Sequence, residues 1–262
     1  KAPGVDRTGD VFKHANAAGT SALGGVLAII GDDHNCKSST LPSQSEFAMA
    51  DAEIPVLNPA SIQDVLDYGI HGWNMSRYSG AWTGLVALAD TMDSGAVVNI
   101  DLDRFSFVAP SFHLPEAGVH MRRGDTPLDK EARLRHFKLP AAQAYVRANR
   151  LDHVILPSPK PRIGVIVTGQ AARDVFEALA AIGLTPEDAG RLGLTIFKVA
   201  MPWPLEPEGV REFCAGLERV VVIEHKRPLI EEQLKAALYD LPGTKRPVVE
   251  GKRTAEGKPL LS

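Results

Sequence analysis

Between Asp32 and Glu46 the chain collects an unusual set of reactive side chains: Asp32, Asp33, His34 and Cys36, then Ser38, Ser39, Thr40, Gln44 and Glu46. Carboxylates beside an imidazole can bind a cation or polarise a carbonyl. The hydroxyls of Ser38, Ser39 and Thr40 can donate to a phosphate or a carboxylate. Cys36 is a weaker prospect, because only Lys37 stands beside it to favour the thiolate. Metal ligands usually recur at a recognisable spacing; no second His or Cys cluster supplies one here, so the stretch is read without a metal. A plainer reading also exists, in which Asp32 and Ser39 cap turns and helix ends. Composition alone leaves turn chemistry and an active site both open.

A second charged group, Glu224-His225-Lys226-Arg227, precedes Pro228 and then Glu231, Glu232 and Gln233. A carboxylate at a strand end beside a helix start can meet a neighbouring domain, so Glu224 and Arg227 are read as interdomain residues. The alternative is ordinary solvated charge.

Both groups need elements to hold them. Gly25–Ile30 is an apolar run of strand length ending in Gly31. If it is a parallel strand of an open α/β sheet, the residues after it lie where such sheets bind ligands, outside the carboxyl ends. Asp10–Ala18 and Glu46–Ala52 read as helices, and Ile54–Leu57 as a short strand containing a proline. Ser61 opens a longer helix with Asp64 in capping-box spacing. Gly80–Asp90 reads as a further helix and Val97–Ile100 as a third strand. The central stretch is irregular, with a helix over Leu139–Arg150. Beyond it, strands at Ile163–Val167, Leu194–Val199 and Val220–Ile223 alternate with helices at Gln170–Ile182, Glu208–Gly216 and Leu229–Tyr239. That alternation predicts an α/β fold with parallel strands and right-handed crossovers. Three blocks result: 1–101, a crossover 102–161 with helices of its own, and 162–262.

Composition limits the function. With 44% hydrophobic residues in 262, the chain can build a packed core. Its formal charge of -3 is spread along the sequence, which leaves no footprint for nucleic acid or an anionic membrane. No apolar run is long enough to span a membrane. Its two cysteines are too few for a four-cysteine iron–sulfur cluster. They are read as free thiols of a cytoplasmic protein. The first residue is not Met, and the chain is read as a piece of a longer polypeptide.

The segments "KAPGVDRTGDVFKHANAAGT", "GVLAIIGDDHNCKSST", "IPVLNPASIQDVLDYGIHGW", "KLPAAQAYVRANRLD", "MPWPLEPEGVREF" and "VVVIEHKRPLIEEQL" run in the order found in bacterial indolepyruvate ferredoxin oxidoreductases. The chain resembles that family, a long-chain branch of the thiamine diphosphate-dependent 2-oxoacid:ferredoxin oxidoreductases, over essentially its whole length. The resemblance implies the later part of a pyrimidine-binding domain in block 1–101 and a transketolase C-terminal-like three-layer αβα domain in 162–262. It implies an enzyme that oxidatively decarboxylates an arylpyruvate on thiamine diphosphate with Mg²⁺. Electrons pass through 4Fe-4S clusters to ferredoxin, and the acyl group goes to coenzyme A. A related enzyme acting on pyruvate or a branched 2-oxoacid, and a non-catalytic assembly module, are the alternatives.

The same resemblance implies that much of this machinery lies elsewhere. The family's activating glutamate falls before Lys1, and its diphosphate motif, Gly-Asp-Gly, is absent from this chain. The piece alone is therefore expected to be inactive and to hold no cofactor tightly. Its partners would be ferredoxin and the other domains of the same polypeptide, in a homodimeric whole. Family loops at this position face cofactor and substrate. His34 and Ser39 are thereby assigned polar contacts with one or the other, Asp32, Asp33, Ser38 and Thr40 line the loop, and Gln44 and Glu46 shape it. Some relatives hold the substrate carboxylate with Arg or Gln near the position of Thr40, which departs from that pattern.

Overall fold

A computed structural model of the chain describes residues 2–101, 103 and 105–261; Lys1, Leu102 (the start of the central block), Arg104 and Ser262 lie outside the described residues. The chain forms two compact units, Lys1–Arg150 and Leu151–Ser262. The stretch 102–161 is divided between them: its helices belong to the first unit, and His153–Leu156 is a strand of the second.

The first unit begins with helices α1 (Ala2–Arg7) and α2 (Gly9–Ala18). Strand β1 (Leu27–Asp32), helix α3 (Glu46–Asp51) and strand β2 (Val56–Leu57) follow. Next come α4 (Ile62–Ser79), β3 (Thr83–Leu88) and α5 (Ala89–Met92), then α6 (Pro127–Arg133), a π-helical turn (Leu134–Lys138) and α7 (Leu139–Ala148). The sheet order is β1-β3-β2, all parallel, with Ile30 opposite Val86 and Leu57 opposite Leu85. Ile30, Ile54, Val56 and Val86 form a core with Met49 of α3. Each such side chain contributes roughly 1.5–3 kcal/mol when fully buried.

Two expectations fail here. Gly80–Asp90 is not a helix but contains β3. Helix α4 stops at Gly80, whose φ of +74° suits glycine, and where a Cβ would lie 2.8 Å from the Val119 carbonyl oxygen. The next residues are buried on both faces of a central strand, so they show no polar–apolar alternation to read. Val97–Ile100 is irregular and exposed. Gln63 of α4 takes its backbone in place of a neighbouring strand, accepting from Asn99 N at 2.7 Å and donating to Asn99 O at 3.3 Å. The start of α4 follows the expected pattern with a shift: Ser61 Oγ accepts from Asp64 N, but Asp64 reaches back to Ala60 N at 2.8 Å, one residue further.

Lys138, at the end of the π-helical turn, is fully buried. Its ammonium donates to the carbonyls of Asn16, Ala17 and Ala18 at 3.3–3.5 Å, the last turn of α2. A cation at a helix C-terminus is favourable, while burial pushes the Lys138 pKa down to about 8.

The second unit holds β4 (His153–Leu156), β5 (Ile163–Thr168), α8 (Ala171–Ala181), α9 (Pro186–Arg191) and β6 (Leu194–Val199). It continues with α10 (Pro207–Cys214), β7 (Arg219–Ile223), α11 (Ile230–Tyr239) and β8 (Val248–Glu250). The order is β4-β6-β5-β7-β8, parallel except for β4. Going from β5 to β6 runs one way across this sheet; β6 to β7 and β7 to β8 run the other way. Right-handed crossovers then place α8 and α9 on one face and α10 and α11 on the other, giving three layers. Val210, Cys214, Ile230 and Leu234 of the second pair pack on Ile166, Val220 and Val222. The strands and helices expected in this unit are present, joined by α9, β4 and β8, which were not foreseen.

Candidate functional site

Strand β1 carries Asp32 at its carboxyl end, and the chain then turns away through Asp33 and His34, all three buried. Asp32 anchors the return of the chain: its Oδ1 accepts from Ser45 Oγ at 2.7 Å and its Oδ2 from Ser45 N at 2.8 Å. That pair of bonds fixes the start of α3 and brings Glu46, also buried, beside the strand end. Glu46 Oε1 accepts from Asn58 Nδ2 at 3.0 Å, and Asn58 lies just beyond β2. Ligand atoms of Asp32, His34 and Glu46 all lie within 4.8 Å of one another.

The rest of the stretch is a turn built on Asp33. Its Oδ1 accepts from Lys37 N at 2.9 Å and its Oδ2 from Ser38 N at 2.8 Å. The Asp33 N–H donates to Ser43 Oγ at 3.0 Å, which closes the base of the loop. Cys36 takes a positive φ of 57° in this turn, and its thiol donates to the Ser39 carbonyl at 2.6 Å. The loop is tied to the carboxyl end of β3 as well. Asp90 accepts from Asn35 Nδ2 at 3.3 Å and pairs with the Lys37 ammonium, which holds the Lys37 pKa above its ordinary value.

The three strand ends therefore meet at one place, with Asp32 from β1, Asn58 after β2 and Asp90 after β3. Of the residues singled out in the sequence, the fold draws Asp32, His34 and Glu46 together. Asp33 serves the turn. Ser38 and Thr40 are exposed on it, and Ser39 and Gln44 are half-buried. Asn58, Asp90 and Lys37 were missed. Asn58 was open to the rule that singled out Asp32, since it is the first polar residue after an apolar strand.

Two buried carboxylates beside an imidazole make an acceptor-rich patch. Burying such charge is unfavourable without a positive partner: an imidazolium, a metal ion or a cationic ring. The donor set, two carboxylates and one histidine from 32, 34 and 46, also suits a divalent ion. The reading of this stretch as metal-free rested on ligand spacing, and the fold brings together residues whose spacing announces nothing.

At the other site, Glu224 sits just past the end of β7, buried, and all its described bonds stay within its own unit. Its Oε2 accepts from Leu229 N and Ile230 N at 3.0 and 2.8 Å, and its Oε1 from Glu231 N at 3.0 Å. It is the N-terminal cap of α11. Burial raises its pKa against the pull of those three bonds. Arg227 is exposed.

The two sheets define the class: an α/β protein built on largely parallel sheets. Over 99% of its length the chain shares the fold of half of a 2-oxoglutarate:ferredoxin oxidoreductase chain from Magnetococcus marinus, with a TM-score of 0.58 and 14% sequence identity; that structure was solved with 2-oxoglutarate, coenzyme A and succinyl-CoA bound. Within that class the resemblance to indolepyruvate oxidoreductase is borne out. Residues 153–262 match the model of the indolepyruvate oxidoreductase domain. The chain is 25% identical over 239 residues to the indolepyruvate oxidoreductase subunit IorA of Methanothermobacter thermautotrophicus, covering 89% of this chain and 36% of that one. To the same subunit of Pyrococcus abyssi it is 24% identical over 233 residues, 83% of this chain and 33% of that one. The chain thus spans about a third of the length of the curated relatives it matches. Among the described residues no helix is long and apolar enough to cross a membrane.

Proposed function

We propose that the chain forms one wall of the active site of an enzyme that oxidatively decarboxylates an arylpyruvate on thiamine diphosphate, yielding an acyl-CoA and reduced ferredoxin. One observation carries this reading: Asp32, His34 and Glu46 are buried together at the carboxyl ends of a parallel sheet, the place where open α/β sheets bind ligands. The family resemblance supplies the chemistry.

The residues present fit part of the cofactor. A buried acceptor-rich patch suits a cationic or amino-bearing ring, so Asp32, His34 and Glu46 would face the ring end of thiamine diphosphate. It does not suit the diphosphate, which repels carboxylates; that group and its Mg²⁺ belong to another domain. When bound, the cofactor supplies the electron sink for decarboxylation. His34 holds a proton beside the reacting carbonyl and, with Ser39, offers polar contacts to substrate or cofactor. Asp32 and Glu46, with ligand atoms within 4.8 Å of the imidazole, would orient it. The turn on Asp33 keeps Ser38, Ser39 and Thr40 at the mouth. With two cysteines, this chain does not carry a 4Fe-4S cluster of its own. Ferredoxin, the remaining domains and a homodimeric whole complete the proposal, and the isolated piece is inactive.

The test is made in the full-length enzyme. His34→Ala should lower indolepyruvate turnover at least about 100-fold, the scale of a lost proton-transfer group, with little change in thermal stability. Unchanged turnover would reduce the loop to turn chemistry. Submicromolar binding of thiamine diphosphate by the isolated chain would overturn the claim that the diphosphate site lies elsewhere.

A further inference from the structure

The second unit has a hollow that the proposed chemistry does not use. It opens at the amino-terminal edge of β7, the end of that strand opposite Glu224. Its volume is about 400 Å³, within the range of small-molecule sites. Leu217, Leu241 and Cys214 line it with apolar surface, and Arg211, Lys245 and Arg246 line it with charge. No carboxylate is among its lining residues, in a chain whose formal charge is -3.

The cations have a structural duty, but it does not exhaust them. Helices α10 and α11 both end here, and carbonyls at helix C-termini favour positive charge. Arg211 Nε donates to Ala237 O at 2.8 Å, and Arg246 donates to Tyr239 O at 3.4 Å while lying over the Tyr239 ring at 6.0 Å. Each guanidinium has five N–H donors in a fixed fork, and each bond just described uses one nitrogen. The two forks are anchored by one edge, and among the described residues the other nitrogens have no hydrogen bond, which leaves them for a ligand. The Lys245 side chain makes no hydrogen bond or ion pair among the described residues and is exposed.

Three cations without an acid ask for more than one negative charge. Forked guanidiniums match phosphate oxygens two at a time, and a lysine adds a mobile point charge. The apolar floor adds a requirement for an apolar or aromatic body. Burial pushes the Cys214 thiol up to about 12, so the floor offers no thiolate at neutral pH. The hollow is built to bind rather than to react. We propose that it is a binding site for a small organic phosphate, a phosphoester carried on an apolar or aromatic body, held by Arg211, Lys245 and Arg246 over Leu217 and Leu241. This inference is independent of the function proposed for the loop after β1.

The experiment is calorimetric titration of the whole chain with adenosine 5′-monophosphate as probe, and with adenosine and inorganic phosphate as controls. The nucleotide should bind with a Kd below about 1 mM at low salt. Each control should bind at least about tenfold more weakly, and salt should weaken the nucleotide further. Lys245→Gln with Arg246→Gln should weaken nucleotide binding at least about tenfold at unchanged melting temperature, these two side chains being exposed. Arg211→Lys, which keeps the charge and loses the fork, separates loss of the ligand contact from loss of the α11 cap and should weaken binding less. Failure of the nucleotide to bind at about 10 mM, or equal binding by the double variant, would overturn the site. Inorganic phosphate binding as tightly as the nucleotide would overturn the part assigned to the apolar floor.

Discussion

Strands β1 and β7 each end on a buried acid that is followed by a helix, yet the two acids do different things. Glu224 gives both oxygens to three backbone N–H groups of α11, the first turn of its own unit's last long helix. Asp32 gives both oxygens to Ser45, and the residue after Ser45 is a second buried acid, Glu46. The first arrangement ends in a satisfied cap. The second gathers a carboxylate pair and an imidazole with ligand atoms within 4.8 Å of one another. The same order of strand, acid and helix therefore does not identify a site. What distinguishes the two is where the acid's bonds go. A carboxylate saturated by a helix start is structural, and one that brings another ionisable group into burial is a candidate for chemistry.

Exchanging each acid for its amide separates the two roles most widely. In the full-length enzyme Glu46→Gln keeps an acceptor for Asn58 but removes the charge beside His34. Turnover should fall by about 10²-fold, the usual scale for a group that tunes a proton-transfer residue. Glu224→Gln should leave turnover within about twofold, since the described bonds of its carboxylate serve only the start of α11. Steady-state kinetics on both variants decide the matter. Equal losses would erase the distinction drawn between the two strand ends.

Stability should show the reverse order. Glu224→Ala strands three buried N–H groups and should cost about 2–4 kcal/mol of the second unit's stability. Denaturant unfolding read on that unit would show it. A loss under about 0.5 kcal/mol would mean that water replaces the carboxylate at no cost. Lys138→Met makes the matching test in the first unit, at a helix C-terminus. Three carbonyls lose their cation, but a buried charge that burial already disfavours is removed too. The net loss should be about 1–3 kcal/mol. The sign of its pH dependence follows from the Lys138 pKa being lowered to about 8. An unfolded lysine holds its proton to about 10.4, so the wild type should gain stability relative to the methionine variant as pH rises from 8 towards 10.

The central strands of the second unit and the long helices between them were legible from its sequence, because the strands are continuous apolar runs separated by amphipathic helices and glycine turns; α9, β4 and β8 were not. Leu194–Val199 and Val220–Ile223 cannot be helix faces at that length. The first unit was less so. Thr83-Gly84-Leu85-Val86-Ala87-Leu88 is a strand that looks like a helix of small residues, since a central parallel strand has no polar face. Val97–Ile100 looks like a strand but pairs with no strand among the described residues. For the candidate site, the loop was legible as polar residues after a strand, but not the selection within it. Eight of its residues are candidates on paper: Asp32, Asp33, His34, Ser38, Ser39 and Thr40, with Gln44 and Glu46 behind. Only the return of the chain through Ser45 shows that Glu46 meets Asp32 and His34, while Asp33 serves the turn. Long-range pairing of that kind leaves no local periodicity to read.

A further acid, whose carboxylate is buried, tests the rule in an intermediate case. Asp152 stands before β4, and its Oδ1 accepts from Ala200 N at 2.7 Å and Met201 N at 3.2 Å, just past β6. Its Oδ2 is buried and has no hydrogen-bond partner among the described residues. Burial, with Glu206 adding repulsion and the two N–H bonds opposing, raises the Asp152 pKa to about 7. The unfolded side chain titrates near 3.9. The folded protein therefore keeps this proton through a range in which the unfolded chain has lost it. Stability should fall as pH rises from about 4 to about 7 and be level beyond. Asp152→Asn keeps the Oδ1 contacts and cannot ionise, so its unfolding free energy should lack that slope. The two proteins should differ most above pH 7, with the asparagine form equal to or more stable than the wild type. Urea unfolding at pH 5, 6, 7 and 8 measures it. Parallel profiles would show that Asp152 is ionised in the fold at pH 5, and that a half-satisfied buried acid is closer to Glu224 than to Asp32.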